Sequence, residues 1–212
     1  MWLSTFITFR RPLAKAAART NDTAMLRRRV LDLYSAPPSD DAVGADGFVF
    51  QELLEDAFAS APFCRPRLEL FRRHLNQGFV AHGFIADDGA LAFYMWFCLG
   101  HQISWAPWAL GARIAVPSES GYIFDCKTDE PHRNKGLYKA ALKEGRRLYR
   151  EAKCETVLID VEPANAPAVR AIKAAGFQKQ TRIEVAKLGP LYRTTQDKKS
   201  RYSLGRCSYI LD

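Results

Sequence analysis

The alternation of apolar and polar positions along the 212 residues predicts a mixed α/β chain. Two β-rich runs, residues 79–86 and 91–99, flank Asp87-Asp88-Gly89, and Asp-Gly between apolar runs is a strong hairpin signal. Two earlier segments, residues 48–59 and 68–77, space their apolar side chains as helices do. The first half of the chain therefore predicts helices followed by a hairpin.

The second half alternates strand and helix patterns, which is typical of a sheet with at least one crossover connection. The remaining predicted elements are a strand or a short helix at residues 25–34, a strand at 121–127, a helix from Gly136 to Ala152, a strand at 156–161, a helix at 166–175 that ends at Gly176, a strand from Phe177, and a last strand at 202–211.

The net charge of the chain is +8, from 31 Lys and Arg against 23 Asp and Glu. Such a balance suggests an anionic partner, which could be nucleic acid, a membrane surface or a phosphorylated cofactor. The charge is unevenly distributed, and each block needs its own explanation. The blocks are residues 1–29 with seven bases and one acid, 40–69 with seven acids and two bases, 131–153 with eight bases and two acids, and 187–206 with six bases and one acid.

The cysteines and histidines give no metal-site signal. Five cysteines and four histidines are scattered along the chain without the spacing of a zinc site, so we expect free thiols, no metal and a cytoplasmic setting. The longest apolar stretch, residues 90–100, falls short of the ~20 residues that span a bilayer.

The N-terminal segment has two interpretations. Residues 1–9 are mostly apolar and precede a basic stretch that has no acid until Asp22. This is typical of a transit-like or interfacial amphipathic segment, but an ordinary first strand followed by a basic connection is the favoured alternative. A secretory signal is not expected, because the bases follow the apolar run.

The most informative segment runs from Asp125 to Tyr138, where a predicted strand ends, a polar loop turns and a helix begins at a glycine. Such a turn can point several backbone N–H groups at one anion, with Arg133 and Lys135 adding positive charge and Gly136 allowing close approach. The segment is not a Walker A loop, because Gly-x-x-x-x-Gly-Lys-Ser/Thr is absent. The segment predicts a pyrophosphate site, with a basic, solvated helix start as the alternative.

Together with Asn165 and Gly176-Phe177, the motif Arg133-Asn-Lys-Gly136-Leu-Tyr138 resembles the GNAT superfamily of acyl-CoA-dependent N-acyltransferases. The resemblance covers residues 79–190. It implies one α/β (α+β) domain over residues 1–212, with a central mixed, mostly antiparallel sheet splayed between two strands and flanked by helices. We accordingly divide the chain into a basic N-terminal arm (1–24), a cofactor-binding core (79–190) and a basic C-terminal segment (191–212).

The resemblance also implies acetyl-CoA as co-substrate and direct attack of an amine on the acyl carbon. The exposed amides near Cys126 and Thr128 would bind the pantetheine arm and polarise the thioester carbonyl. Asn165 would bind the CoA arm or simply cap its helix. The pyrophosphate would lie on the amides of Asn134, Lys135, Gly136, Leu137 and Tyr138, with added charge from Arg133 and Lys135.

The sequence departs from the family pattern at a position that usually takes part in proton transfer and at one loop glycine. The tyrosine that the family commonly places on the later helix is replaced by Ile172, and the second loop glycine by Tyr138. We therefore take Tyr122 and Asp125 as the candidate catalytic bases. Glu119 and Glu162 lie at the margins of this region, and Cys126 as a covalent acyl carrier is a further alternative.

The acceptor is expected to be a small primary amine. The sequence of residues 122–138 is similar to that of GNAT proteins associated with cell-surface polysaccharide biosynthesis, which suggests an amino sugar. The aromatic residues at 93–97, 105 and 108 could line its pocket, although core packing is the favoured explanation.

Three alternatives remain: a catalytically degenerate CoA-binding domain, a basic nucleic-acid-binding module and a membrane-surface module. No specific nucleic-acid motif or integral membrane segment is visible. The basic arm allows peripheral contact with a membrane. The chain is expected to be a monomer or a homodimer.

Overall fold

The computed structural model describes residues 26–41, 44–196, 199–204 and 208–210. The strands are β1 (Arg27–Ala36), β2 (Phe48–Glu52), β3 (Val80–Ala86), β4 (Leu91–Leu99), β5 (Trp105–Pro107), β6 (Arg113–Ala115), β7 (Ser120–Thr128), β8 (Thr156–Val161), β9 (Gln178–Leu188), β10 (Leu191–Gln196), β11 (Lys199–Leu204) and β12 (Ser208–Ile210). The helices are α1 (Glu55–Ser60), α2 (Leu68–Asn76), α3 (Leu137–Glu151) and α4 (Ala166–Ala174). The predictions for the arm (1–24) and for Cys207 lie outside the described residues.

Nine strands form one sheet in the order β11-β10-β9-β1-β8-β7-β4-β3-β2. Its neighbours pair antiparallel except β7 and β8, which are parallel and joined through α3. A parallel pair needs such a crossover, whereas the β3–β4 pair needs only the short turn at residues 87–89. The mixed, mostly antiparallel sheet and the hairpin are therefore confirmed.

Helices cover both faces of the sheet. On one face, α1 and α2 place Phe58 and Phe71 against Trp96 of β4. On the other face, α3 and α4 bury their apolar stripes, including Leu142 and Ile172. We call these the α1–α2 face and the α3–α4 face. The helical spacing in the sequence predicts α2, α3 and α4 correctly because each buries a single stripe.

A second, three-stranded sheet in the order β12-β6-β5 accompanies the main sheet. The turn at Ala109–Gly111 between β5 and β6 contacts β1 and β9. Trp108, just before that turn, packs beside Ala112, Val185 and Tyr192. The irregular, tryptophan-containing segment at 102–117 therefore lies along one side of the main sheet.

Three sequence predictions change. The helix predicted at 48–59 is wrong in its first part, because residues 48–52 form β2, which pairs with β3 and places Phe48 and Phe50 against Phe84. Of the two alternatives for residues 25–34, the strand is the one found for residues 27–34, which belong to β1. The tail forms β11 and β12 in place of one strand at 202–211, and β10 was not predicted.

The aromatic run at 93–97 belongs to the core, since all five side chains are buried. The four described cysteines, Cys64, Cys98, Cys126 and Cys154, are free thiols. Among the described residues, no helix combines the length and apolar character needed to cross a membrane.

Candidate active site

A gap opens between β7 and β8. The two strands pair from Ser120 and Thr156 as far as Ile123 and Ile159, and the pairing then stops although β7 continues to Thr128. Because the strands are not paired beyond this point, backbone groups of both are available to a ligand. The splay that the sequence predicts between these strands is present.

A β-bulge in β7 lies where the gap begins. Trp96 of β4 lies opposite Phe124 and Tyr94 lies opposite Lys127, so two β7 residues, Asp125 and Cys126, together face a single β4 residue. Asp125 has a φ of 49°, in the left-handed region. A bulge bends its strand and increases the local twist, which is consistent with the separation of β7 from β8.

An ion pair holds the bulge in place. Arg67 Nη1 and Nη2 donate to the two Asp125 carboxylate oxygens at 2.7 and 2.6 Å, and Nη1 also donates to the Tyr94 hydroxyl at 2.8 Å. This bidentate geometry is the strong form of a charge-assisted hydrogen bond. The predicted base Asp125 therefore has both of its oxygens engaged by a guanidinium on the α1–α2 face.

The β7 backbone presents donors to the gap. The Asp129 amide donates to the Ala92 carbonyl of β4 at 2.9 Å, so by strand alternation the preceding amide, that of Thr128, points away from β4 and into the gap. Cys126 lies two residues earlier, beside the bulge. These are the two positions that the sequence assigns to the pantetheine arm, and their assignment to a ligand stays a prediction.

The turn before α3 has the geometry of an anion site. Asn134 and Gly136 have φ values of 64° and 76°, and the first internal bond of the helix runs from the Ala140 amide to the Gly136 carbonyl. The amides of Leu137 and Tyr138 therefore precede the helical ladder and are free to bind an anion. A left-handed residue close to a helix start is a recurrent anion-binding arrangement.

Two cations flank this turn. The Arg133 guanidinium lies 3.6 Å from the Glu130 carboxylate, and the Lys135 ammonium lies over the Phe48 ring at 5.4 Å from its centroid. Both contacts are exposed and weak, so either side chain can turn toward an anion at small cost.

Asn165 caps α4. Its side-chain oxygen accepts a hydrogen bond from the Ala168 amide at 3.3 Å. The capping role that the sequence allows is thus present, while a contact with a CoA arm remains a prediction. On the same helix Ile172 is fully buried on the α3–α4 face, so the usual tyrosine position carries no hydroxyl.

Tyr122 is fully buried, and its hydroxyl donates a hydrogen bond to Asp160. Burial raises the pKa of the Tyr122 phenol well above its ordinary value, and the Asp160 charge raises it further. A proton acceptor must be ionised or carry a free lone pair toward the substrate. Tyr122 therefore acts here as a donor to another group.

Asp160 is the functional candidate that our sequence analysis missed. Burial raises the pKa of its carboxyl from 3.8 to about 6, although the Tyr122 hydrogen bond and the Trp108 side chain lower it. The signal was visible, because Asp160 is the one charged residue in the apolar run at 156–161. An acid inside a buried strand requires a partner or a function.

The remaining candidates, Cys126, Glu162 and Glu119, lie in three different environments. Burial raises the pKa of the Cys126 thiol well above its ordinary value, with the Asp125 and Asp160 charges adding to the shift, so the thiol is protonated at neutral pH and is a poor nucleophile. Glu162 is ion-paired with Arg29. Glu119 precedes β7 at the end of the pairing away from the gap.

No cluster of three or more His, Cys, Asp or Glu side chains within the described ranges could hold a metal ion. The site has instead a turn with the geometry of an anion site, a β7 amide that points into the gap and a partly buried carboxylate. This arrangement can bind a phosphorylated, extended molecule and accept a proton at its far end.

Comparison with known proteins agrees with this architecture. The model of the GNAT acetyltransferase family matches residues 48–177. No curated protein matches the chain.

Solved GNAT structures share the fold at low sequence identity. A GCN5-related N-acetyltransferase from Sphaerobacter thermophilus is 14% identical, with a TM-score of 0.51 over 88% of this chain and 55% of its own. A GNAT-family acetyltransferase from Colwellia psychrerythraea is 14% identical, with a TM-score of 0.50 over 78% of this chain and 57% of its own. The GCN5-related glucosamine N-acetyltransferase region of a fungal multi-domain GH3 β-N-acetylglucosaminidase is 11% identical, with a TM-score of 0.56 over 76% of this chain and 21% of its own.

The chain thus spans little more than half the length of the two bacterial proteins. Its family match extends from β2 to the end of α4 and includes the bulge, the gap and the anion-binding turn. The chain belongs to the GNAT acetyltransferase family.

Proposed function

We propose that this protein is an acyl-CoA-dependent N-acyltransferase that moves an acetyl group from acetyl-CoA to a primary amine by direct attack. The observation that carries the proposal is the gap between β7 and β8, which has an anion-binding turn at one end and a carboxylate at the other. A molecule with a pyrophosphate, an extended arm and a reactive thioester fits that order of groups.

The residues present suit the cofactor. The amides of Leu137 and Tyr138, with Arg133 and Lys135 beside them, would hold the pyrophosphate. The Thr128 amide would hydrogen-bond the pantetheine arm, and the region of Cys126 would polarise the thioester carbonyl. When bound, acetyl-CoA supplies the activated acyl group.

The chain contributes orientation and proton transfer. Holding the amine and the thioester in the same gap replaces a bimolecular encounter with an intramolecular one, which accounts for a large part of the acceleration. An alkyl amine is mostly protonated at neutral pH, so a base must also remove a proton before attack. A protonated Cys126 makes direct transfer preferable to a covalent acyl-cysteine.

We propose an amino sugar as the acceptor class to test first. One support is the sequence of residues 122–138, which is similar to that of GNAT proteins of polysaccharide biosynthesis. The other is the fold that the chain shares with a region named as a glucosamine N-acetyltransferase. Polyamines and peptide amines are the other probes. Release of free CoA with none of these amines, despite tight cofactor binding, would favour a degenerate CoA-binding domain.

Gly136→Asp tests the cofactor site. We expect it to weaken acetyl-CoA binding about 100-fold, or about 2.7 kcal/mol, because it strains a left-handed residue and places a negative charge beside the pyrophosphate. The measurement is the acetyl-CoA-dependent rise in melting temperature.

The matched control is Gly189→Asp in the β9–β10 turn, which also has a positive φ and open space around its Cβ position. It should keep the full acetyl-CoA shift. Equal shifts in wild type and Gly136→Asp, or no shift in either, would contradict the proposed cofactor site. Retention on DNA that is lost with added salt in the same way for both proteins would then support the basic binding module.

A further inference from the structure

Asp160 occupies the mouth of the gap. Ile159 is the last β8 residue that pairs with β7, so Asp160 is the first residue beyond the parallel pairing. Its other neighbour in the sheet is Leu33 of β1, which it faces in an antiparallel pair. The carboxylate therefore belongs to a well-fixed strand and lies at the point where β7 diverges.

The groups that hold this carboxylate are neutral. The Tyr122 hydroxyl donates to one of its oxygens, and the Trp108 side chain also stabilises the charged form and lowers the pKa. Among residues 26–41 and 44–196, whose side chains the structure describes, no lysine or arginine forms an ion pair with Asp160. A partly buried carboxylate without a cation is costly to ionise, so a cation that enters the gap would be stabilised beside it.

Asp32 on the adjacent strand provides the contrast. Asp32 is buried, whereas Asp160 is partly buried, and Lys179 lies 2.8 Å and Arg182 2.7 Å from the Asp32 oxygens. In the same sheet one carboxylate is thus neutralised by the protein's own cations, whereas Asp160 is held by neutral donors beside the gap.

We infer that Asp160, oriented by Tyr122, binds the ammonium group of the acceptor and takes its proton to generate the attacking amine. This rests on the proposed function and assigns its catalytic base to a residue other than Asp125 and Tyr122. It also defines the acceptor as a cation before reaction.

The electrostatics of the gap agree with this role. Among residues with described side chains, the Asp160 charge raises the pKa of Tyr122 and Cys126 from β7 and of Tyr138 from α3, and burial raises the pKa of each well above its ordinary value. These three groups stay neutral near pH 7. The pKa of about 6 leaves Asp160 ionised there, yet basic enough to accept a proton.

The step balances. One N–H proton of the ammonium passes to the Asp160 carboxylate and then to solvent, and the freed lone pair forms the C–N bond. As the tetrahedral intermediate collapses, the C–S bond breaks and the sulfur leaves as a thiolate. A second proton leaves nitrogen and ends on that sulfur, giving the amide and free CoA.

Asp160→Asn should lower kcat about 1,000-fold while the acetyl-CoA-dependent rise in melting temperature is kept, because the amide cannot take a proton and the pyrophosphate site is untouched. The control Asp32→Asn makes the same chemical change on the adjacent strand and should retain kcat. A wild-type kcat in Asp160→Asn would overturn the inference without affecting the proposed function.

Tyr122→Phe tests the positioning role. The wild-type rate should fall as pH drops through about 6, since the base must be ionised. The Tyr122→Phe change removes a hydrogen-bond donor to the carboxylate and so raises the pKa of Asp160. The acid limb of the pH–rate profile should therefore move to higher pH, while the activity of the variant returns at pH 8. An unmoved limb would show that Tyr122 does not act through Asp160.

A titration independent of turnover separates the two proposals. The carboxyl carbon signal of Asp160, assigned by its loss in Asp160→Asn, is followed by ¹³C NMR in acetyl-CoA-saturated protein. Methylammonium chloride should lower the titration midpoint relative to sodium chloride at the same concentration, because an ammonium stabilises the carboxylate. An identical midpoint in the two salts would overturn the inference even when no transfer is detected.

Discussion

Gly121→Ala should destabilise the protein by about 3 kcal/mol, measured as the free energy of unfolding in urea. A Cβ at this β7 position would lie 2.1 Å from a ring carbon of Tyr149, which packs from α3. The ring cannot retreat easily, because it is fully buried and its hydroxyl donates to the Tyr122 carbonyl at 2.8 Å. The strand is fixed as well, since β7 pairs with β4 on one side and β8 on the other.

The double variant Gly121→Ala/Tyr149→Leu identifies the cause. If the ring is what the new methyl meets, the double variant should lose at least about 1.5 kcal/mol less than the sum of the single losses. Gly44→Ala is the control, because nothing lies within 4 Å of its Cβ position. A Gly121→Ala loss within about 0.5 kcal/mol of this control would mean that α3 does not pack this closely on the start of the β7–β8 pair.

The parts of the fold that the sequence predicts well depend on local chemistry. The turn at residues 87–89 closes a hairpin by itself, with Gly89 at a φ of 83°. The stripe along α3 follows from helical spacing alone. By contrast, residues 48–52 are apolar enough for either a helix or a strand. These residues form a strand because they pair with β3, whose residues lie thirty or more positions further along the chain.

The candidate site divides in the same way. The anion-binding turn is contiguous from Arg133 to Tyr138, so its glycine and its charges can be recognised together in the sequence. The bulge and the carboxylate site are assembled across the fold. Arg67 and Asp125 are 58 positions apart, and Tyr122 and Asp160 are 38 apart. No local pattern shows that Arg67 engages one predicted base or that the other donates to Asp160.

Asp160→Asn should stabilise the protein at pH 8 by up to about 3 kcal/mol, even as it removes activity. The folded protein raises the pKa of this carboxyl from 3.8 to about 6, mainly through burial, so the ionised form is penalised in the folded state. This penalty is absent below pH 4, grows as pH rises to about 6, and is constant above it. Asparagine keeps an oxygen that can accept from Tyr122 and carries no charge at any pH. The gain in unfolding free energy should therefore appear between pH 4 and pH 6 and persist at pH 8.

Asp32→Asn provides a control of opposite sign. Burial alone would raise the pKa of Asp32, but hydrogen bonds and charges from Arg182 and Lys179 outweigh it and lower the pKa. The ionised form is therefore favoured in the folded state, and its contribution is lost only as the pH falls below the usual carboxyl range. Asp32→Asn should thus destabilise the protein at pH 8. A stability difference between Asp160→Asn and wild type that does not change between pH 4 and pH 8 would contradict an ionised Asp160 that destabilises the folded state. It would indicate that a cation of the protein already neutralises Asp160 and that the site is not kept for an incoming amine.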